Sequence, residues 1–174
     1  MELESIKVVF GGPVGAGKST AIRSVADAEP VSTEMPLVDG PMGEKTTTTV
    51  ALDFATVMLD DGPPLFVYGL PGQEHFEFMY PIVVEGALGV VILLNGSAPD
   101  LVAQCERWLK TMRDINAAMP LVIGVTQTDA LPSFSIKPLR EVIKRCGAPV
   151  PVFTIDARSK EETTQLVRAL LLEL

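Results

Sequence analysis

A glycine-rich loop near the start of the chain constrains the fold more than any other feature of the sequence. The run Ile6 to Phe10 is apolar and rich in β-branched residues, which is typical of a buried strand. The loop Gly12 to Ser19 follows directly, and a helix is predicted over Lys18 to Asp27. A strand, a tight loop and a helix in this order predict a βα unit, and such units build parallel sheets that are covered by helices.

The same alternation of strands and helices continues along all 174 residues. The turn Asp60 to Pro63 joins the second and third predicted strands as a hairpin. The sequence therefore predicts an α/β fold with a six-stranded, mostly parallel sheet, one antiparallel edge strand and helices on both faces. The predicted strands are Ile6 to Phe10, Thr49 to Leu59, Leu65 to Tyr68, Leu88 to Leu94, Leu121 to Thr126 and Val150 to Ile155.

Three further helices are predicted from apolar spacing and from capping residues. One covers Ala98 to Met112, with Ser97 and Asp100 as its capping box. Another lies between Ser135 and Gly147, and the last begins at Ser159 and continues to the end of the chain. Because there is no internal repeat and no linker, we expect a single domain over residues 1–174.

Composition excludes several classes of protein. With 47% hydrophobic and 21% charged residues, the chain is too apolar to be disordered. No apolar run is long enough to span a membrane, and no lipidation motif or basic leader is present, so we expect a cytoplasmic protein without an intrinsic membrane anchor. Cys105 and Cys146 lie among apolar residues and are interpreted as reduced core cysteines.

The formal net charge of −8 argues against a nucleic-acid partner, because that function needs a surplus of basic residues. The charge is also unevenly distributed. Residues 1–100 contain 14 acidic and 4 basic side chains, whereas residues 101–174 contain 8 and 10. The acidic half is either solvated surface or a surface that faces a basic partner.

The loop itself indicates a chemistry. Its residues Gly12-Pro13-Val14-Gly15-Ala16-Gly17-Lys18-Ser19 match the phosphate-binding pattern GxxxxGK[ST] in full. The glycines allow successive backbone N–H groups to surround a β-phosphate at the helix N-terminus. Lys18 is expected to bridge the β- and γ-phosphates, and Ser19 to ligate Mg²⁺. The pattern therefore predicts a nucleoside triphosphate ligand.

The ends of two later strands bear on the choice of base. Asp129, in the segment Thr126-Gln127-Thr128-Asp129, can accept hydrogen bonds from both N1–H and the 2-amino group of guanine, which adenine cannot offer. A backbone N–H in the segment Thr154 to Arg158 can donate to guanine O6. Guanine is therefore predicted over adenine, and an ATPase or kinase is the less favoured alternative.

With these motifs the whole chain resembles the Ras-like small GTPase superfamily, whose [NT]KxD and SAK motifs occupy the same strand ends. Within that superfamily it looks most similar to bacterial MglA-type GTPases and to small GTPases of actinobacterial signalling operons. The resemblance implies a P-loop G domain that binds GTP or GDP with Mg²⁺. It also implies the binding residues Gly12, Pro13, Val14, Gly15, Ala16, Gly17, Lys18, Ser19, Thr20, Thr49, Gly72, Thr126, Gln127, Asp129, Ala157 and Arg158.

Two segments resemble the family's nucleotide-sensing switches. Lys45 to Thr49 is similar to switch I, which makes Thr49 the second Mg²⁺ ligand beside Ser19, with Thr48 as the alternative. Pro71 to Glu74 is similar to switch II, which makes Gln73 the residue that orients the attacking water and, with Lys18, a catalytic residue. The residues after it, His75 to Tyr80, are either core or a partner-recognition surface.

Several positions depart from the family pattern. Gly69 stands where the family has an aspartate near Mg²⁺, so either Mg²⁺ binds more loosely or Asp53 substitutes from the neighbouring strand. Gln127 replaces a lysine, and Val14 crowds Gln73. Because switch I offers only Lys45 as a cation, we expect slow hydrolysis without a partner.

These features leave two main hypotheses open. The first is a regulatory GTPase, expected to be a monomer, whose partners are effectors and a Roadblock-type activating protein. The second is a guanine-nucleotide-binding scaffold with little or no hydrolysis.

Overall fold

The computed structural model describes residues 5–28, 31–39, 46–147 and 149–174, and for residues 31–39 and 46–50 it describes the backbone alone. The strands are β1 (Ile6–Gly11), β2 (Val31–Asp39), β3 (Thr46–Val57), β4 (Leu65–Gly69), β5 (Gly89–Asn95), β6 (Leu121–Thr126) and β7 (Val152–Thr154). The helices are α1 (Lys18–Val25), α2 (Tyr80–Val84), α3 (Leu101–Ile115), α4 (Lys137–Arg145) and α5 (Lys160–Leu171), with a 3₁₀ segment at Glu74–Met79 before α2.

The described strands form one sheet in the order β2-β3-β4-β1-β5-β6-β7. Strands β4, β1, β5, β6 and β7 are parallel, and β3 runs antiparallel to both of its neighbours. One core layer packs α2, α3 and α4 against the sheet, and the other packs α1 and α5. The prediction of a mostly parallel α/β P-loop fold with one antiparallel strand and helices on both faces is confirmed.

The sheet contains one strand more than the six that were predicted. The additional strand is β2, which pairs with β3 from Val31 opposite Phe54 to Asp39 opposite Thr46. The antiparallel strand β3 is therefore second from the edge rather than at the edge. The sequence of β2 hides it because Pro36 interrupts the run, and proline in a strand is tolerated mainly at a sheet edge.

All four predicted helices are present, but the start of α3 differs from the prediction. The helix begins at Leu101 behind Asp100, with no side-chain cap, and Ser97 Oγ instead donates to Asn95 Oδ1 at 2.6 Å. The capping box of α5 forms as predicted, since Ser159 Oγ accepts from Glu162 N at 3.2 Å. None of the described helices is both long and apolar enough to cross a membrane.

The parallel strands end together at the edge of the sheet where the glycine-rich loop leaves β1. Gly11 lies opposite Ile92 of β5, and Asn95 of β5 lies opposite Thr126 of β6. Gly12 has a φ of 144°, and a Cβ atom there would lie 2.1 Å from the Leu93 carbonyl oxygen. Only glycine permits this close approach, which carries the loop across the end of β5.

Candidate functional site

The phosphate loop is held in place by side chains from the ends of β5 and β6. Thr126 Oγ1 donates to the Ala16 carbonyl at 2.8 Å, and Gln127 Nε2 donates to the Gly15 carbonyl at 2.9 Å. Asn95 Nδ2 also lies 3.4 Å from that oxygen. The Thr126 hydroxyl and the Gln127 amide therefore hold the phosphate loop from its outer side.

Lys18 begins α1 and points back into the loop. Its Nζ donates to the carbonyl oxygens of Gly12 at 2.6 Å and Pro13 at 2.9 Å. Burial lowers the pKa of Lys18 to about 8, and the nearby Asp53 carboxylate partly opposes that shift. A cation that is desolvated and bonded only to neutral carbonyls is well suited to exchange them for phosphate oxygens.

A carboxylate from β3 meets the hydroxyl that was predicted to hold Mg²⁺. Ser19 Oγ donates to Asp53 Oδ2 at 2.5 Å, and Asp53 lies opposite Gly69 on the neighbouring strand β4. A Cβ atom at Gly69 would lie 2.8 Å from Ile22 Cδ1 and 3.3 Å from Asp53 Cβ. Asp53 thus places a carboxylate beside Ser19, and the surrounding side chains occupy the space that a residue larger than glycine at position 69 would need.

The Ser19 hydroxyl and the Asp53 carboxylate suit a site for Mg²⁺, which prefers hard oxygen donors such as hydroxyl, carboxylate and water. Thr49, the other predicted ligand, belongs to β3 and lies opposite Pro36, and its neighbour Thr48 lies opposite Leu37. The side chains of both threonines fall outside the described part of the chain, as does Lys45. The choice between Thr48 and Thr49 as ligand therefore stays a prediction.

Gly72 and Gln73 lie directly against the phosphate loop. A Cβ atom at Gly72 would lie 2.5 Å from Val14 N and 2.9 Å from Lys18 Nζ, so a larger residue would push this segment off the loop. Gln73 is exposed and lines a cleft of about 380 Å³ together with Lys18, Ser19, Thr20 and Asp53. Val14, which is 67% exposed, lines the same cleft.

A larger cavity of about 940 Å³ continues from the same loop toward the ends of β6 and β7. It shares Gly15, Gly17 and Thr20 with the cleft, and its far end contains the predicted base-binding residues Gln127, Asp129, Ala157 and Arg158. The backbone N–H of Arg158 donates to Asp156 Oδ1 at 2.9 Å, so that donor is already engaged. The Ala157 N–H is the remaining candidate donor to a base at this strand end.

Comparison with known proteins finds relatives among GTP-binding proteins. No protein-family model matches the chain. An uncharacterized protein of Methanocaldococcus jannaschii is 26% identical over 129 residues, which cover 74% of each chain. The septum-promoting GTP-binding protein 1 of Schizosaccharomyces pombe is 26% identical over 112 residues, and the Ras-related protein Rab-18-B of Danio rerio is 24% identical over 113. The chain is thus similar in sequence to Ras-like GTP-binding proteins.

The sequence similarity to the two GTP-binding proteins covers only part of each chain, whereas the structural similarity covers nearly the whole chain. The matched segments cover 62% and 63% of this chain, and 56% and 49% of the yeast and zebrafish proteins. The G domain of the T. maritima FeoB iron transporter has a TM-score of 0.66 and 17% identity, over 98% of this chain and 99% of that one. The structural likeness shows that the fold is that of a G domain.

The segment that follows β4, predicted to be switch II, is fastened to α3 by contacts that the sequence did not reveal. Tyr80 OH donates to the Pro71 carbonyl at 2.7 Å, and the Tyr80 ring stacks on Trp108 at 5.3 Å between centroids. Arg107 of α3 forms ion pairs with both Glu74 and Glu77. Arg107 carries no local sequence signal, because its partners lie about 30 residues away and meet it only in the folded chain.

The segment His75 to Tyr80 divides between core and surface. Met79 and Tyr80 are buried, and Phe76 is partly buried against the same core. Phe78 is 43% exposed, and Ile82 of α2 is 47% exposed. Core packing is thus confirmed for Met79 and Tyr80, and a partner-recognition surface at the exposed residues stays a prediction.

Proposed function

We propose that the chain is a regulatory GTPase, a single G domain over residues 1–174 that binds GTP or GDP with Mg²⁺ and hydrolyses GTP slowly. One observation carries the proposal. Lys18, the Ser19–Asp53 pair and Gln73 line one cleft, and this cleft shares its phosphate loop with a cavity that ends at Asp129. A triphosphate and a base can therefore be recognised by one continuous site.

Base recognition falls to Asp129. Its exposed carboxylate lines the cavity, where it can accept from N1–H and the 2-amino group of guanine. Adenine presents no such pair of donors and would leave the carboxylate unpaired. The Ala157 N–H is the proposed donor to guanine O6.

Phosphate and Mg²⁺ binding fall to the other end of the site. Lys18 exchanges its loop carbonyls for β- and γ-phosphate oxygens, and the N-terminus of α1 adds its partial positive charge. Mg²⁺, when bound, would supply positive charge that offsets the negative charge of the β- and γ-phosphates. Ser19 and one threonine of switch I, Thr49 or Thr48, are the proposed ligands. Asp53 accepts a hydrogen bond from the Ser19 hydroxyl and so orients it.

Hydrolysis is proposed to be slow for two structural reasons. Gln73 must orient the attacking water, but Val14 occupies the same cleft and restricts where its amide can lie. Lys18 is the only cation among the described residues that line the cleft, so charge on the transferring phosphoryl group lacks a second, forked donor. We propose that such a donor comes from a partner.

The proposed partners bind the switch face. Phe78 and Ile82 offer exposed apolar side chains beside switch II, where a nucleotide-dependent partner would sense the state of Gly72 and Gln73. By its motifs we propose an MglA-like protein of bacterial signalling, cytoplasmic and monomeric, with a Roadblock-type protein as activator. Because residues 1–100 are strongly acidic, the partner surface is expected to be basic and its association to weaken as salt rises.

The second candidate is a guanine-nucleotide-binding scaffold, which the position of Val14 beside Gln73 favours. One experiment separates the two. The protein is loaded with GTP and Mg²⁺, and bound nucleotide and released phosphate are followed together. A regulatory GTPase releases phosphate in a single turnover at about 10⁻⁴ to 10⁻² per second. Retention of intact GTP over several hours would instead support the scaffold.

A further inference from the structure

The wide end of the nucleotide cavity holds an excess of negative charge. Asp129, Asp156 and Glu162 line it, and Arg158 is the single cation among the described residues that do so. Asp129 follows β6 and Asp156 follows β7, so the two carboxylates come from neighbouring strands. Glu162 is already committed, because its Oε2 accepts from the Asp156 backbone N–H. Two ionised carboxylates beside one ligand repel each other unless a cation lies between them.

Arg158 provides that cation. Its Nε and Nη2 donate to Asp156 Oδ1 and Oδ2, each at 2.9 Å, as a two-pronged bond that uses both carboxylate oxygens. The same Nη2 lies 3.9 Å from Asp129 Oδ2. Arg158 also lowers the pKa of the Asp156 carboxyl, so both partners stay ionised. The Arg158 guanidinium therefore lies between two carboxylates, those of Asp129 and Asp156, which would otherwise repel each other.

We propose that Arg158 is a positioning residue for base recognition. Its guanidinium neutralises Asp156 and orients the Asp129 carboxylate toward the donors of guanine. The inference rests on the proposed function, because it takes guanine to be the ligand of Asp129. These ion pairs are solvent-exposed in the structure, where they contribute little. A bound base excludes water from this wall, which strengthens the interactions among the three side chains.

The test compares GDP with inosine diphosphate, which lacks the 2-amino group. The ratio of the two affinities measures the second hydrogen bond that Asp129 accepts from guanine. In Arg158→Ala, GDP affinity is expected to fall about fivefold and inosine diphosphate affinity by less, so the ratio shrinks. Arg140→Ala removes the same charge from α4, away from the cavity, and is expected to leave both affinities unchanged.

A second variant separates charge compensation from loop integrity. Asp156→Ser removes the opposing carboxylate but keeps an oxygen that can accept from the Arg158 N–H. In the Arg158→Ala background it is expected to restore most of the GDP affinity and of the GDP-to-inosine ratio. Arg158→Lys is expected to keep only part of the GDP affinity and of the GDP-to-inosine ratio, because an ammonium cannot make the two-pronged bond.

Three results would overturn the inference. An unchanged GDP-to-inosine affinity ratio in Arg158→Ala, whether or not both affinities fall, would show that Arg158 does not act through Asp129. Failure of Asp156→Ser to restore the ratio would exclude charge compensation. Equal binding of ADP and GDP by the unmodified protein would refute the proposed function itself, and this inference with it.

Discussion

The contact between Ser19 and Asp53 makes the sharpest prediction, because we propose that Asp53 supplies the carboxylate that supports Mg²⁺ at this site. Asp53→Asn removes the negative charge while keeping nearly the same shape. The structure gives Asp53 one charged hydrogen bond, to Ser19 Oγ at 2.5 Å, at a half-buried position. Losing a hydrogen bond to a charged group costs about 1.5 to 3 kcal/mol. That range corresponds to about a 10- to 100-fold loss of Mg²⁺ affinity, as is common when a ligand loses its supporting partner.

The assay is the release rate of a fluorescent GDP analogue across a Mg²⁺ titration. In Asp53→Asn the Mg²⁺ concentration that slows release should rise by that factor. The titration is best done at about pH 6.5, because Asp53 also raises the pKa of Lys18, and its loss would otherwise deprotonate the lysine. Asp61→Asn, in the exposed hairpin turn, loses the same charge and serves as the matched control. Superimposable Mg²⁺ titrations for Asp53→Asn and the unmodified protein would refute the role of Asp53.

Four further predictions follow from the site and its supports. GDP affinity should fall as pH rises above about 8, by up to tenfold per pH unit, because the free protein must bind a proton at Lys18 to hold phosphate; calorimetry in buffers of different ionisation enthalpy measures that proton. Gly69→Asp should lower the free energy of unfolding in urea by about 1 to 3 kcal/mol, since its Cβ meets Ile22, and a stability equal to the unmodified protein would contradict the packing. Arg107→Ala should speed amide hydrogen exchange in Glu74–Met79 about fivefold by removing two ion pairs, whereas unchanged exchange would show that they do not hold switch II. Val14→Gly should raise the single-turnover rate about tenfold by freeing Gln73, and an unchanged rate would exclude crowding as the cause of slow hydrolysis.

Local patterns were enough to predict six of the seven described strands, the phosphate loop and four of the five described α-helices. The loop from Gly12 to Ser19 is recognisable because its glycines and its lysine serve one local purpose, to surround a phosphate at a helix N-terminus. Alternating apolar residues likewise identify β3 and β4, and capping residues identify the start of α5. Each of these signals depends on residues that are close in sequence.

Features that depend on tertiary pairing escaped prediction. Strand β2 contains Pro36 and is stabilised by its pairing with β3. Helix α3 begins later than predicted, because Ser97 donates to Asn95 instead of capping the helix. The partners of Arg107 are far away in the sequence. Asp53 was identified as a candidate because it lies near β4 in the predicted hairpin, but its contact with Ser19 needs the register that places it opposite Gly69.

The central claim is that this phosphate loop serves a guanine nucleotide, and the relative affinity for GDP and ADP tests it most directly. The nucleotide-free protein is titrated with each diphosphate at equal Mg²⁺ and salt. The account predicts that GDP binds more than tenfold more tightly, because Asp129 accepts two hydrogen bonds from guanine and none from adenine. A GDP-to-ADP affinity ratio below about ten would contradict it.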